Sequence, residues 1–89
     1  MITCDWDPEK AALGFAKHKV PFEWACLVFE ALTVEVEDTR YSYPERRYQA
    51  YGYIEGRLFQ CVYTWKDEGR TRWVISFRKC NEREVKRYG

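Results

Sequence analysis

Arg72-Trp73-Val74-Ile75-Ser76-Phe77-Arg78-Lys79 is the run that decides the fold of this 89-residue chain. Aromatic and β-branched residues fill its middle, which is the composition of a β-strand. Side chains of a strand alternate between two faces. Alternation puts Trp73, Ile75 and Phe77 on one side as a core face, and Arg72, Val74, Ser76 and Arg78 on the other. The second face then displays two guanidiniums on a rigid support. A guanidinium is planar, always charged and able to hold two oxygens at once, so the pattern suits a phosphate ligand.

Lys66 to Gly69 turns the chain into this strand, and Leu58–Trp65 reads as the strand before the turn. Glu55-Gly56 marks another tight turn, preceded by a strand from about Arg47 to Ile54. Residues 38–45 form a polar loop ending at Pro44, and Thr33–Glu37 alternates as a strand with its acidic residues toward solvent. Strands joined by short turns make an antiparallel meander. On the N-terminal side, Ile2 to Cys4 is a short opening strand. Asp7-Pro8-Glu9 starts a helix: Asp7 is a fitting N-cap, Pro8 suits the first helical position, and Glu9 suits the positive dipole end. Ala11, Ala12, Phe15 and Ala16 are expected to pack inward, and the helix to end near His18-Lys19. Pro21 opens a second helix, with Phe22, Ala25, Cys26 and Phe29 at i, i+3, i+4, i+7. After the strands, Asn81 caps a last helix with Glu82 and Glu84 in its first turn and Lys86-Arg87 in its last. The order β-α-α-β-β-β-β-α predicts one α+β domain over residues 1–89, its antiparallel sheet flanked by two N-terminal helices and one C-terminal helix.

Composition narrows the function classes. Four Trp, seven Tyr and five Phe supply large buried area to a small core. Nothing resembles a signal peptide, and no apolar run is long enough to span a bilayer, so a cytoplasmic protein without membrane contact is expected. Cys4, Cys26, Cys61 and Cys80 are scattered, with no Cys-x-x-Cys pair and a single His, which argues against a zinc site. Two disulfides would suit a secreted protein. Cys26 and Cys61 lie in apolar patterns and are expected as buried thiols acting as small hydrophobes. The net charge of +1 hides an asymmetry. Residues 1–45 hold four Lys/Arg against nine Asp/Glu, and residues 66–89 hold eight against four. A polyanion would prefer the C-terminal half.

Several motifs in this order match a known pattern. They are Trp6-Asp7-Pro8-Glu9-Lys10, Lys17-His18, Val20-Pro21-Phe22, Glu45-Arg46, Gly52, Val62-Tyr63-Thr64, the Arg72–Lys79 run, Glu84 and Tyr88. With them the chain resembles the BrnT toxins of bacterial type II toxin–antitoxin systems, compact RelE-like ribonucleases. It departs from that pattern at Gly14, where Asn is usual, at Lys19, where Gly is usual, and at Phe77 and Cys80, where small residues are usual. The resemblance implies an endoribonuclease that cleaves RNA without metal or cofactor and inhibits translation. It also implies a cognate antitoxin, BrnA, with a ribbon-helix-helix-like part that binds DNA. DNA would then be touched only through the antitoxin.

Such cleavage needs a base for the 2′-OH proton, cations for the phosphorane-like charge and an acid for the 5′-oxygen. Arg72 and Arg78 are the first candidates for the cations. They stand about 20 Å apart along an extended strand, so one would serve the scissile phosphate and the other a neighbour. Against this stands a solvated sheet face with Arg–Glu pairs. His18 is the one histidine, at a helix end beside Lys17, and is a candidate acid or base or simply a helix cap. Lys17 and Lys79 are candidate phosphate contacts; alternation turns Lys79 away from Arg78. Glu45 is a candidate base or a partner orienting an arginine, and Arg46 a catalytic cation, unless the two are an ordinary surface pair. Tyr63 and Tyr88 suit base stacking or proton donation, although Tyr63 alternates with Phe59, Cys61 and Trp65 as a core residue would. Thr64 and Ser76 are candidate hydrogen-bonding groups to RNA. The competing reading is a non-catalytic RNA-binding module on the same cationic face. A third is a scaffold whose exposed sheet receives a partner segment.

Overall fold

The computed structural model describes residues 1–89. The elements are β1 (Thr3–Trp6), α1 (Pro8–His18), a 3₁₀ helix (Phe22–Ala31), β2 (Leu32–Asp38), β3 (Arg47–Ile54), β4 (Arg57–Lys66), β5 (Thr71–Lys79) and α2 (Glu82–Tyr88). A short 3₁₀ turn at Asp67–Gly69 joins β4 to β5. Local chemistry explains most boundaries. The Asp7 carboxylate accepts the Glu9 N–H at 2.9 Å, with Pro8 in the first turn of α1. Lys19 ends α1 in the left-handed conformation at φ 62°, its N–H bonded to the Phe15 carbonyl. Glu55 and Gly56 both have positive φ, the conformation a two-residue hairpin demands.

The fold is α+β, but the sheet is mixed rather than antiparallel. Its order is β1-β5-β4-β3-β2, and β1 runs parallel to β5 while the other pairs are antiparallel. Short turns reveal the meander in the sequence; nothing local reveals which edge the isolated first strand joins. The second helix also differs from expectation. It is 3₁₀, and its buried residues Phe22, Ala25 and Val28 recur every third position, as three residues per turn require. Its backbone lies directly on β3. A Cβ at position 52 would collide with the Val28 carbonyl, so only glycine admits this approach.

One face of the sheet is covered by α1 and the 3₁₀ helix. There Val20, Phe22, Ala25 and Val28 pack on Ala50, Phe59, Cys61, Tyr63, Val74 and Phe77. Fully burying a large apolar side chain in such a core stabilises by about 1.5–3 kcal/mol. α1 rides on the rim with no buried residue; Ala11 is half-buried against the core, whereas Ala12, Phe15 and Ala16 stay exposed. The opposite face is open except where α2 covers one end, closing a small cluster of Tyr51, Leu58 and Cys80. No helix is long and apolar enough to cross a membrane.

Two expectations fail here. Cys4 and Cys26 are joined as a disulfide that ties β1 to the 3₁₀ helix, because β1 brings Cys4 under that helix at a Cα separation of 6.0 Å. Cys61 is a buried free thiol as expected, pushed up to about 12 by burial, and Cys80 is another. The second failure concerns β5. Val62 of β4 pairs with Ser76, yet its neighbour Tyr63 pairs with Val74, leaving Ile75 as an extra unpaired residue. This β-bulge restarts the alternation. Arg72 and Val74 therefore face the covered side with Phe77, while Trp73, Ser76 and Arg78 face the open side. The two arginines do not share a face.

Candidate active site

The open face gathers cations where α2 meets the sheet. α2 starts at this point through a capping box: the Asn81 side chain accepts the Glu84 N–H at 2.9 Å, and the Glu84 carboxylate accepts the Asn81 N–H at 3.0 Å. The same carboxylate receives Arg78 from β5 in a two-pronged pair, Nη1 to Oε1 at 2.8 Å and Nη2 to Oε2 at 2.7 Å. The Arg78 guanidinium holds the Glu84 carboxyl below its usual range. Glu84 thus both begins α2 and fixes the direction of Arg78.

Around this pair lies a cleft of about 260 Å³. Four guanidiniums line it, those of Arg40, Arg78, Arg83 and Arg87, against the single carboxylate of Glu84. Arg40 comes from the β2–β3 loop and is gripped by buried Asp38 at 2.8 Å; that pairing holds the Asp38 carboxyl well below the usual carboxylate range. Arg83 and Arg87 are one helical turn apart and make no ion pair. Tyr88 stacks on Tyr51, ring centroids 4.1 Å apart, and the Arg87 guanidinium sits 5.4 Å from the Tyr88 ring. The floor is polar and nearly sealed. Gln60 Nε2 donates to the Tyr51 hydroxyl at 3.0 Å, and that hydroxyl donates to Gln49 Oε1 at 3.2 Å. Burial pushes the Tyr51 phenol up.

A second cleft of about 320 Å³ includes Lys10, Glu45, Arg47, Thr64, Lys66 and Trp73 in its lining. Glu45 accepts from Arg47 Nε at 2.8 Å, and Arg47 stacks on Tyr43. The Lys66 ammonium lies 3.7 Å from the Trp73 ring centre. The Thr64 hydroxyl donates to the Arg46 carbonyl at 2.6 Å.

The structure brings some expected residues together and separates others. Arg78 and Tyr88 line the first cleft, and Glu45 and Thr64 line the second. Ser76 is opposite Val62 on the open face, between Gln60 and Thr64. Arg46 is largely exposed beside Glu37. Arg72 lies on the covered face because of the bulge. Its guanidinium is 3.7 Å from the Phe29 ring centre and 4.9 Å from that of Trp65, and its Nε is buried without a partner. Tyr63 is buried, donates its hydroxyl to Glu35, and packs in the core outside both clefts. Lys79 is exposed opposite Phe59, on the other face from Arg78. Lys17 and His18 close α1, line neither cleft, and make no hydrogen bond or ion pair with another candidate residue.

Sequence reasoning missed Arg40, Gln49, Tyr51, Gln60, Arg83 and Arg87. Some signal existed. Arg83 and Arg87 are four apart on a helix and so share a side. Gln49 and Gln60 are amides whose immediate neighbours, Tyr48 and Ala50, and Phe59 and Cys61, are apolar or aromatic. No curated relative matches the chain. Residues 6–84 match the family model of the ribonuclease toxin BrnT of type II toxin–antitoxin systems.

Proposed function

Because the chain belongs to the BrnT family of ribonuclease toxins of type II toxin–antitoxin systems, we propose that it cuts RNA without a metal in the Arg78 cleft. The fold is read as RelE-like. The observation that carries this reading is the donor set: four guanidiniums line the cleft, and its one carboxylate is already engaged by Arg78. A hard cation such as Mg²⁺ needs oxygen ligands, whereas a phosphorane is stabilised directly by guanidiniums.

In this mechanism the RNA 2′-OH gives its proton to solvent water as it attacks the adjacent phosphorus, and the 5′-oxygen leaves to give a 2′,3′-cyclic phosphate; DNA lacks that hydroxyl and is inert. Arg78 faces the developing charge, with its direction held by Glu84. Glu84 is a positioning residue, since both its oxygens are bonded to Arg78. Arg83 and Arg87 neutralise neighbouring phosphates. Tyr88 is assigned the leaving-group proton, because its hydroxyl carries no hydrogen bond within the protein while that of Tyr51 carries two. Glu45, Ser76 and Thr64 contact the RNA strand farther along the same face, and Arg46, paired with Glu37 at the edge of the sheet, is left outside it. Lys17, His18, Lys79 and Arg72 are left outside the reacting centre.

Loss of messenger RNA inhibits translation in the cytoplasm. The toxin is held silent by a BrnA-like antitoxin, and DNA is met only through that partner.

The test is cleavage of a long single-stranded RNA by the purified protein in EDTA, beside Arg78→Ala. Cutting that survives the chelator and falls about 100-fold or more in the variant supports the reading. Cutting abolished by EDTA, or unchanged in the variant, overturns it.

A further inference from the structure

We propose that the floor of the Arg78 cleft reads a nucleobase, so that Gln49 and Gln60 choose which RNA sequence is held. Gln49, Gln60 and Tyr51 are 8%, 5% and 2% exposed, so their polar atoms need partners. Most are satisfied within the chain Gln60–Tyr51–Gln49. Two groups are not: no protein atom bonds to Gln49 Nε2 or to Gln60 Oε1, and neither atom is sealed from solvent. Both residues line the cleft, so these groups are what its floor offers to a ligand.

The offer is one donor and one acceptor. Rotating both amides and the hydroxyl reverses the chain, exchanging the two roles, but it still leaves one of each. A nucleobase edge presents a donor beside an acceptor and is matched by such a pair. A bare phosphate is not: it has acceptors only, and would leave the exposed carboxamide oxygen facing negative charge. The rim completes the match. Arg83 and Arg87 carry no ion pair and suit the backbone phosphates flanking a base turned inward, and Tyr88 offers an aromatic edge. An extruded base is the single-stranded mode of RNA recognition, in which base edges specify and phosphate contacts position.

This inference deepens the ribonuclease reading and rests on it for the identity of the ligand. Its test is separate from cleavage. Labelled 2′-O-methyl RNA hexamers cannot be cut, because the nucleophile is capped. One internal position carries A, C, G, U or no base, and fluorescence anisotropy gives each Kd. The expected result is a spread of about tenfold or more between the best base and the abasic hexamer. Gln49→Met with Gln60→Met should collapse that spread to about threefold, and Tyr51→Phe should reduce it while keeping the ring stacked on Tyr88. Arg83→Ala should weaken all hexamers alike. Equal affinity for all five hexamers, no binding at all, or a spread that survives in the double variant and in Tyr51→Phe overturns the proposal. Failure of the ribonuclease reading shows elsewhere, as intact unmodified RNA beside a protein that still ranks the hexamers.

Discussion

Replacing Arg72 by Met should leave both stability and RNA cleavage nearly intact, although Arg72 lies on the same strand as Arg78. The magnitude follows from the surroundings of its guanidinium. The Nε is buried and unbonded, a defect that costs about 1–3 kcal/mol. Stacking on Phe29, and more loosely on Trp65, returns about 0.5–2 kcal/mol. Methionine has a similar stem, keeps the apolar contact with the rings and removes both terms. At mid-range the two terms differ by about 1 kcal/mol, a melting shift of about 4–8 °C in a domain of this size. Alanine is different, since it empties the space between the rings; a buried Met→Ala change costs about 2–5 kcal/mol. Thermal melts of wild type, Arg72→Met and Arg72→Ala give the stability order, and single-turnover cleavage gives the rate. Arg72→Met should cut within about threefold of wild type, whereas Arg78→Met should lose about 100-fold or more. An Arg72→Met protein that melts like wild type but has lost cleavage would refute the argument, and would return Arg72 to the RNA.

Lys19 occupies the left-handed region at φ 62°, which costs a side-chain-bearing residue about 1–2 kcal/mol relative to glycine. Lys19→Gly should therefore stabilise by about 0.5–1 kcal/mol after the added freedom of the unfolded chain is counted, and raise the melting temperature by a few degrees; an unchanged or lower melt contradicts this. Asp38 has a folded pKa held below its usual 3.8 by Arg40. Its stabilisation is complete above the unfolded pKa and is lost as pH falls below about 4 toward the folded one. Asp38→Asn should be less stable than wild type at pH 7 and show a shallower acid loss; parallel curves in melts from pH 7 to pH 2 would rule that out.

The elements themselves were legible because their signals are local. Asp7-Pro8, Glu55-Gly56 and Asn81 each mark a boundary through their own backbone preference, and the structure has a boundary at each. What was not legible depends on residues distant in sequence. Ile75 is apolar and β-branched, so its type fits a regular strand, and only the pairing with Val62 and Tyr63 exposes it as extra. The Cys4–Cys26 bond depends on which edge β1 joins. The 3₁₀ helix needed a choice between spacings of three and four, and the close approach at Gly52 goes with three. The cleft escaped for the same reason: Gln49, Gln60, Arg78 and Arg87 come from four elements, and each alone looks like ordinary strand or helix polarity.

The bulge has a consequence for changes in chain length. Arg72 and Arg78 are an even number of residues apart in the chain, yet an odd number of paired positions apart in the sheet. Loss of any one residue between them can be absorbed by drawing Ile75 into the ladder, and both arginines keep their present sides. Gain of one residue has no such outlet. It demands a second unpaired position or turns half the strand over, carrying Arg72 out of its aromatic bracket or Arg78 away from Glu84. This stretch of β5 should therefore tolerate shortening far better than lengthening, an asymmetry that lies in parity rather than in any side chain.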